Sequence, residues 1–485
     1  MPQFIAFDLG AESGRAILAT LRKNRLTLQE KHRFANPTGR VNGHLHWNIL
    51  AQWEELKKGL SLAAANQKQI HGIGVDTWGV DFGLLDKSGN LLGNPFHYRD
   101  SRNDGVMERA LKKVSRQKIY QTTGLQFLPF NTLFQLLATQ RDQPEILDVA
   151  DKLLFMPDLF NFFFTGIPAN EYSIASTSQM LDVKKRQWAG GMLNKVSLPR
   201  QLMQKIIPSG TVLGDLQKSV ASECNVAKIP VIAPACHDTA SAVVAVPAED
   251  ENFCYISSGT WSLMGVELKK PILTDDALTL NYTNEGGANN TIRFLKNIMG
   301  LWLVQECRRQ FLADGHNFTY AQLTQMAARS APLRSLVDPN DVAFLAPGNM
   351  PERIQSFCRR TRQPVPSTPG ELVRCALESL AIAYRDTMLG LEKILGRKIS
   401  AIHIVGGGSQ NELLNQFTAA ACNRPVIGGP IEATAIGNAL AQAVAIGAIA
   451  SWSDARKIVR QSFPVKYFHP RHADRWRTAS IPKAR

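Results

Sequence analysis

The 485-residue chain has no apolar run approaching the roughly 20 residues needed to span a bilayer. The aromatic stretch "LFNFFFTG", residues 159–166, is too short for that and reads as a core helix or strand. Neither a basic n-region nor a long apolar signal core precedes the strand-like run that opens at Phe4. Cysteine is scarce. There are seven, an odd number, with no Cys-x-x-Cys pair and no His/Cys grouping at zinc spacing. That usage points to buried, unpaired thiols in a reducing compartment, and hence to a cytoplasmic protein. Low-complexity tracts and long linkers are also missing.

Several familiar motifs are absent too. "FDLGAESGRA" (residues 7–16) lacks the Gly-Lys-Ser/Thr of a P-loop and does not open a helix as a dinucleotide-binding glycine motif does. No Gly-x-Ser-x-Gly elbow accompanies the Ser, His and Asp residues, which weighs against a hydrolase triad. The formal charge is +14, yet no basic stripe interleaved with aromatics stands out and no nucleic-acid motif appears. The positive excess fits a solvated surface and would suit a small anionic substrate. At 44% hydrophobic and 20% charged, the composition is that of an ordinary globular protein with two to three domains.

What is present is a legible pattern of elements. Residues 3–9, 15–21 and 26–34 read as three meandering strands, Asn48 as the N-cap of a helix to about residue 66, and "IHGIGVDT" as a buried strand. Three strands, a helix and another strand make a mixed sheet rather than a dinucleotide-binding alternation. "NFCYISSGTWSLMGVEL" repeats the opening strand–glycine turn–strand pattern about half a chain later. A helical stretch over 294–311 and a long helix over 368–395 follow. In "SAIHIVGGGSQNELLNQFTAAAC" a strand runs through a triple glycine into a helix that Ser409 and Glu412, at capping-box spacing, should start. "EATAIGNALAQAVAIGA" reads as a last, close-packing helix. A boundary falls around "AVPAED", giving domains 1–245 and 246–485, the final segment packing back on the first domain.

Asp8, at a strand end before a turn holding Gly10 and Gly14, offers a carboxylate for Mg²⁺ beside backbone amides of residues 10–15 for a phosphate. An ordinary hairpin turn fits the same residues. Ser257, Ser258, Gly259 and Thr260 repeat the offer with hydroxyls. "APACHDTASAVV" empties a buried strand into Cys236, His237, Asp238 and Thr239, where Asp238 can serve as general base toward a substrate hydroxyl or as a helix cap. "VDTWGVDF" holds Asp76 and Asp81 in an apolar run, costly unless they meet a ligand or a partner. "YRDSR" adds Arg99, Asp100 and Arg102, either to that site or as a surface ion-pair cluster. The triple glycine suits a nucleotide seat or a tight helix–strand contact.

Taken together, "FDLGAESGR", "GVDTWGVDF", "YRDSR", "HDTASAV", "SSGTWSLMG", "TNEGG", "RFLKNIMGLWLVQE", "HIVGGGSQN" and "GPIEATAIGNA" resemble, in order and along essentially the whole chain, the FGGY carbohydrate kinases. Within that family "VDTWGVDF", "LQFLPFNTLFQL" and "LKNIMGLWLVQ" resemble the branch that acts on L-rhamnulose. The resemblance implies an α/β protein of two actin-like, ribonuclease-H-like domains with mixed sheets and ATP in the interdomain cleft. It implies ATP-dependent phosphorylation of L-rhamnulose at its 1-hydroxyl, with Mg²⁺. Asp238 is then the expected base, and Gly79, His237, Thr239 and Asn297 contact the sugar together with Asp238. Ala11, Glu12, Ser13, Gly14, Arg15, Thr260, Gln305, Gly407 and Gly408 face the nucleotide, and Asp8 the metal. The expected partners are a small sugar and a nucleotide, with no nucleic acid and no membrane, in a monomer or small homo-oligomer. An FGGY kinase for L-fuculose or xylulose, and a filament- or chaperone-type ATPase of the actin/Hsp70 fold, stand as alternatives.

Overall fold

In the computed structural model, which describes residues 1–482, the chain divides into two compact units. The first is made of residues 1–247, 267–294 and 432–463; the second holds 248–266, 295–431 and the chain from 464. A six-stranded mixed sheet lies in the first unit, and the core strands of a seven-stranded mixed sheet lie in the second. Among the described residues no helix is long and apolar enough to cross a membrane, and all seven cysteines are buried and unpaired.

The first sheet has six strands: β1 (Gln3–Leu9), β2 (Ser13–Arg22), β3 (Arg25–Ala35), β4 (Gly72–Thr77), β5 (Thr211–Asp215) and β6 (Pro230–Ala233), in the order β5-β6-β4-β1-β2-β3. β1 and β4 are near-continuous apolar runs because helices cover both their faces. α1 (Ile49–Ala64) starts where Asn48 accepts from the Ala51 amide, as the sequence predicts. The aromatic stretch is α2 (Met156–Thr165), whose Phe164 stacks on Phe7 of β1 at 5.8 Å between ring centroids.

The second sheet has seven strands: β7 (Phe253–Ser258), β8 (Trp261–Leu268), β9 (Thr283–Gly286), β10 (Ile292–Met299), β11 (Ala401–Val405), β12 (Val426–Gly428) and β13 (Lys466–Phe468), in the order β9-β10-β8-β7-β11-β12-β13. β7 has an antiparallel partner in β8 and a parallel one in β11. β1 is flanked the same way by β2 and β4. The repeat visible in sequence is thus a repeat of local topology.

Four readings are corrected. Residues 294–299 of the expected 294–311 helix belong to β10, and the helix begins at Trp302; "IRFLKNIM" is strand because it is buried along nearly its whole length in a sheet, a tertiary gain that outweighs helix propensity. The helix after the triple glycine is capped by Asn411, which accepts from the Leu414 amide, whereas Ser409 donates to the Gly406 carbonyl in a preceding 3₁₀ turn. The small-residue helix is not the last, since Trp452–Ser462 and Asp474–Arg477 follow it. And Asp238 is the first residue of α3 (Asp238–Val244), whose N-cap is His237.

α3 lies against α7 (Ala433–Ala445), with α4 (Trp302–Ala313), α5 (Pro369–Leu395) and α6 (Glu412–Cys422) between them in the chain. A Cβ at Gly437 would collide with the carbonyl of Ser241, which is backbone and cannot give way. Gly437→Ala should therefore cost about 3 kcal/mol in urea unfolding. Gly407→Ala, where a Cβ meets nothing within 4 Å, should stay within about 0.5 kcal/mol of the parent. Equal midpoints for the two variants would refute the packing argument.

Candidate functional site

Asp8 is the penultimate residue of β1, registered opposite Arg15 of β2 and beside Asp76 of β4. The Arg15 guanidinium bridges Asp8 and Glu432. Burial works against its charge, but the two carboxylates more than offset this and hold Arg15 above the usual arginine range. The turn itself is shorter than the sequence suggests: Ser13, Gly14 and Arg15 already belong to β2, leaving residues 10–12. It is closed by Gly10 N–H donating to Ser13 O at 2.9 Å and braced by Asn36, whose Nδ2 donates to Gly10 O at 2.8 Å. Gly14 has a packing reason to be glycine, since a Cβ there would strike the Phe34 ring.

Asp238 stands where the chain leaves β6. Its neighbours on that segment are tied to β4, Thr77 N–H donating to Cys236 O at 2.9 Å. The Asp238 carboxylate is asymmetric. Oδ1 accepts from the Thr239 amide and from Thr239 Oγ1 at 3.1 Å, and His237 Nε2 lies 3.4 Å from it. Oδ2 takes no hydrogen bond among the described residues. Burial raises the pKa of Asp238; His237 and Thr239 oppose the rise and the negative charge of Asp8 adds to it. Asp76 is fully buried, and burial followed by the charge of Asp8 pushes it well above the carboxylate range. Its Oδ2 accepts from Asn438 at 2.6 Å and its Oδ1 has no partner among the described residues. Gly79 lies beside this group: a Cβ at 79 would come within 3.4 Å of His237 Nε2.

Two acids that the sequence offered to the sugar are instead spent on the scaffold. Asp81 Oδ2 accepts from Trp47 Nε1 at 2.6 Å, Trp78 Nε1 at 2.9 Å and the Tyr98 amide at 3.3 Å, while Oδ1 accepts from Gln135 at 2.8 Å. Asp100 accepts from the Leu45 and Arg102 amides. Arg102 is buried over the Phe96 ring, so "YRDSR" is no surface ion-pair cluster.

In the second unit Thr260 sits in the turn between β7 and β8, where Gly259 N–H donates to Trp261 O at 2.8 Å. Gly300 and Leu301 donate back to Thr260 O and Gly259 O, both at 3.0 Å, so the end of β10 is stitched to that turn. Asn297 is half-buried on β10, and Gln305 lies on α4 with a buried Oε1 that has no partner among the described residues. In the triple glycine Gly408 lies tight against Ser258, where a Cβ would clash, and Gly407 is open.

The family model for the N-terminal domain of the FGGY family of carbohydrate kinases matches residues 3–245, and the C-terminal one matches residues 254–446. The chain belongs to the FGGY family of carbohydrate kinases. It is 44% identical to a rhamnulokinase of Bacteroides thetaiotaomicron over 99% of this chain and 98% of that protein. It is 42% identical to the rhamnulokinase of Bacillus subtilis, over 97% and 96%. Its fold matches a ligand-bound xylulose kinase from Lactobacillus acidophilus with a TM-score of 0.82, at 16% identity and covering 99% and 96% of the two chains. Plasmodium falciparum glycerol kinase with ADP matches at 0.76, 16% identity, over 97% and 94%.

For an FGGY kinase, the structure also brings forward residues to which sequence reasoning gave no role. Glu171 is fully buried and accepts from Ser173 N, Ile174 N, Ser173 Oγ and Cys236 N through Oε2, and from Ser209 through Oε1. It thereby anchors the segment that carries His237, whose own amide donates to Ser173 Oγ at 3.1 Å. Glu285 and Arg293 reach His237 from β9 and β10. Their only signal in sequence was membership of "TNEGG" and "RFLKNIMG".

Burial sets a pH dependence. Asp81 is raised to about 6, because burial outweighs the stabilising hydrogen bonds from Gln135, Trp47 and Trp78. Between about pH 4 and its folded pKa the native protein holds this proton and the unfolded chain does not. Stability from Asp81 is thus complete below about pH 4 and lost as pH rises through that folded value, by up to about 3 kcal/mol. Urea midpoints for the wild type should fall over that window more steeply than for Asp81→Asn; parallel slopes would exonerate Asp81.

Proposed function

We propose that this chain transfers the γ-phosphoryl group of ATP to the primary hydroxyl of L-rhamnulose, forming L-rhamnulose 1-phosphate, and that it does so in the cytoplasm, as its seven unpaired thiols suggest. The observation that carries the chemistry is the asymmetry at Asp238, with Oδ1 held by donors and Oδ2 left open. The choice of sugar is supported by the full-length likeness to proteins named rhamnulokinase.

Phosphoryl transfer passes through a loose, in-line transition state, so the protein mainly positions groups and stabilises charge. Oδ2 of Asp238 receives the hydroxyl proton as the oxygen attacks phosphorus. Burial helps here, because a raised carboxylate is a better proton acceptor. His237, Thr239, Gly79 and Asn297 hold the sugar, the β1–β2 and β7–β8 turns hold phosphates, and Gln305, Gly407 and Gly408 seat the nucleoside.

A divalent cation fits the donor chemistry near Asp8. Asp8 lies beside Asp76, whose buried Oδ1 has no partner among the described residues, and its charge acts on Asp238. Among the described residues no three metal-ligating side chains converge. That suits Mg²⁺, which keeps its waters and binds through one or two carboxylates and substrate phosphates. Asp8, with Asp76 behind it, would hold the ion. Once bound, Mg²⁺ neutralises charge developing on the transferred group.

ADP release should be measured with Mg·ATP over L-rhamnulose, L-fuculose and xylulose. L-rhamnulose should give the highest kcat/KM, and Asp238→Asn should lower kcat by about 10³-fold with little change in KM. Preference for another ketose would move only the substrate assignment, while full activity in Asp238→Asn would overturn the base.

A further inference from the structure

Arg293 is fully buried and Glu285 nearly so. Arg293 Nε donates to Gly286 O at 2.8 Å; Nη2 lies 3.0 Å from His237 Nδ1 and 3.1 Å from Glu285 Oε2. A guanidinium has only donors, so in the contact between Nη2 and Nδ1 the imidazole nitrogen is the acceptor. Nη2 thus donates one hydrogen to Nδ1, and its charge is paired with the Glu285 carboxylate at 3.1 Å. Glu285 Oε2 is 3.4 Å from Nδ1, farther than Nη2 is. A proton on Nδ1 would be pressed against the guanidinium N–H. The proton of the neutral ring therefore sits on Nε2, the nitrogen that lies 3.4 Å from Asp238 Oδ1.

We propose that Arg293, held in place by Glu285, is a positioning residue that fixes His237 as the Nε2–H tautomer, turns that N–H toward Asp238 Oδ1, and so keeps Oδ2 as the proton acceptor. The proposal rests on Asp238 being the base and adds what orients it. Glu285 balances the buried charge of Arg293. The charged groups bearing on His237 are Arg293, Glu285 and Asp238. Those bearing on Asp238 are His237, Asp8 and Asp76.

The first test needs no activity. Full-length protein labelled with ¹⁵N-histidine, with the His237 signal assigned by its loss in His237→Gln, should show in long-range ¹H–¹⁵N correlations a protonated Nε2 and a bare Nδ1. The double variant Arg293→Met/Glu285→Gln, which leaves no lone buried charge, should lose that fixed pattern. Its kcat should fall about 10–100-fold with KM for ATP unchanged. The acid limb of its kcat/KM profile should move to higher pH, because Asp238 loses the oriented Nε2–H dipole 3.4 Å from its Oδ1 that favours its ionised form. Arg293→Lys keeps the charge opposite Glu285 without the fork; it should show the same upward shift in weaker form, and serves alone if the double variant does not fold. A wild-type His237 protonated on Nδ1, or an acid limb and tautomer unmoved in the folded variants, would overturn the proposal. Activity surviving in Asp238→Asn would instead strike the base assignment, leaving the tautomer measurement to stand by itself.

Discussion

Three carboxylates at the ends of neighbouring buried segments set the terms for the first unit. Asp8 and Asp76 are register partners on adjacent parallel strands, and Asp238 follows the strand on the other side of β4. Burial raises the pKa of Asp76 and of Asp238, and the negative charge of Asp8 adds to both rises. Every compensating group has to be supplied from elsewhere in the unit. Arg15 comes from the next strand to meet Asp8, Asn438 from α7 to meet Asp76, and His237 with Thr239 from the same segment to meet Asp238.

That requirement explains packing that is otherwise hard to rationalise. Asn438 reaches Asp76 only because α7 lies very close to α3 and β4, and that approach depends on Gly437 against the Ser241 carbonyl and on Gly74, where a Cβ would lie 2.5 Å from Asn438 Oδ1. Glu432, which shares Arg15 with Asp8, begins the same helical segment. Residues near 435, more than 350 positions away in the chain, thus complete the electrostatics of a hairpin at residue 10. The run of alanines in α7 serves this purpose, giving a helix thin enough to sit against two elements at once.

Much of this was legible in sequence. The β1–β2 hairpin, the Asn48 cap, the long helix after Thr368, the second hairpin and the family motifs were all visible, because each rests on local pattern: alternation, a cap residue, a glycine turn. What failed was what depends on tertiary neighbours. "IRFLKNIM" has no turn signal to separate it from the helix that follows, so strand and helix merged. Ser409 and Glu412 have the right spacing for a capping box, but Asn411 is a better-placed cap. Asp81 and Asp100 look like site acids in one dimension; only the fold reveals that Trp47, Trp78, Gln135 and backbone amides engage both oxygens of each. Glu285 and Arg293 carried the opposite error. They were overlooked because nothing in their own segments links them to a histidine some 50 residues earlier.

The contrast between Asp81 and Asp238 separates scaffold from chemistry. Both are carboxylates pushed upward by desolvation, Asp81 buried and Asp238 part-exposed. Asp81 accepts four hydrogen bonds, three on Oδ2 and one on Oδ1, so both of its buried oxygens are engaged by the scaffold. Asp238 concentrates its donors on Oδ1 and leaves Oδ2 without a donor among the described residues, on a side chain that is 29% exposed and so open to a substrate. A fold selected only for stability would spread those donors over both oxygens, as it does at Asp81. Keeping them on one side, with His237 itself pinned by a buried arginine, makes sense where the empty oxygen has a substrate to meet.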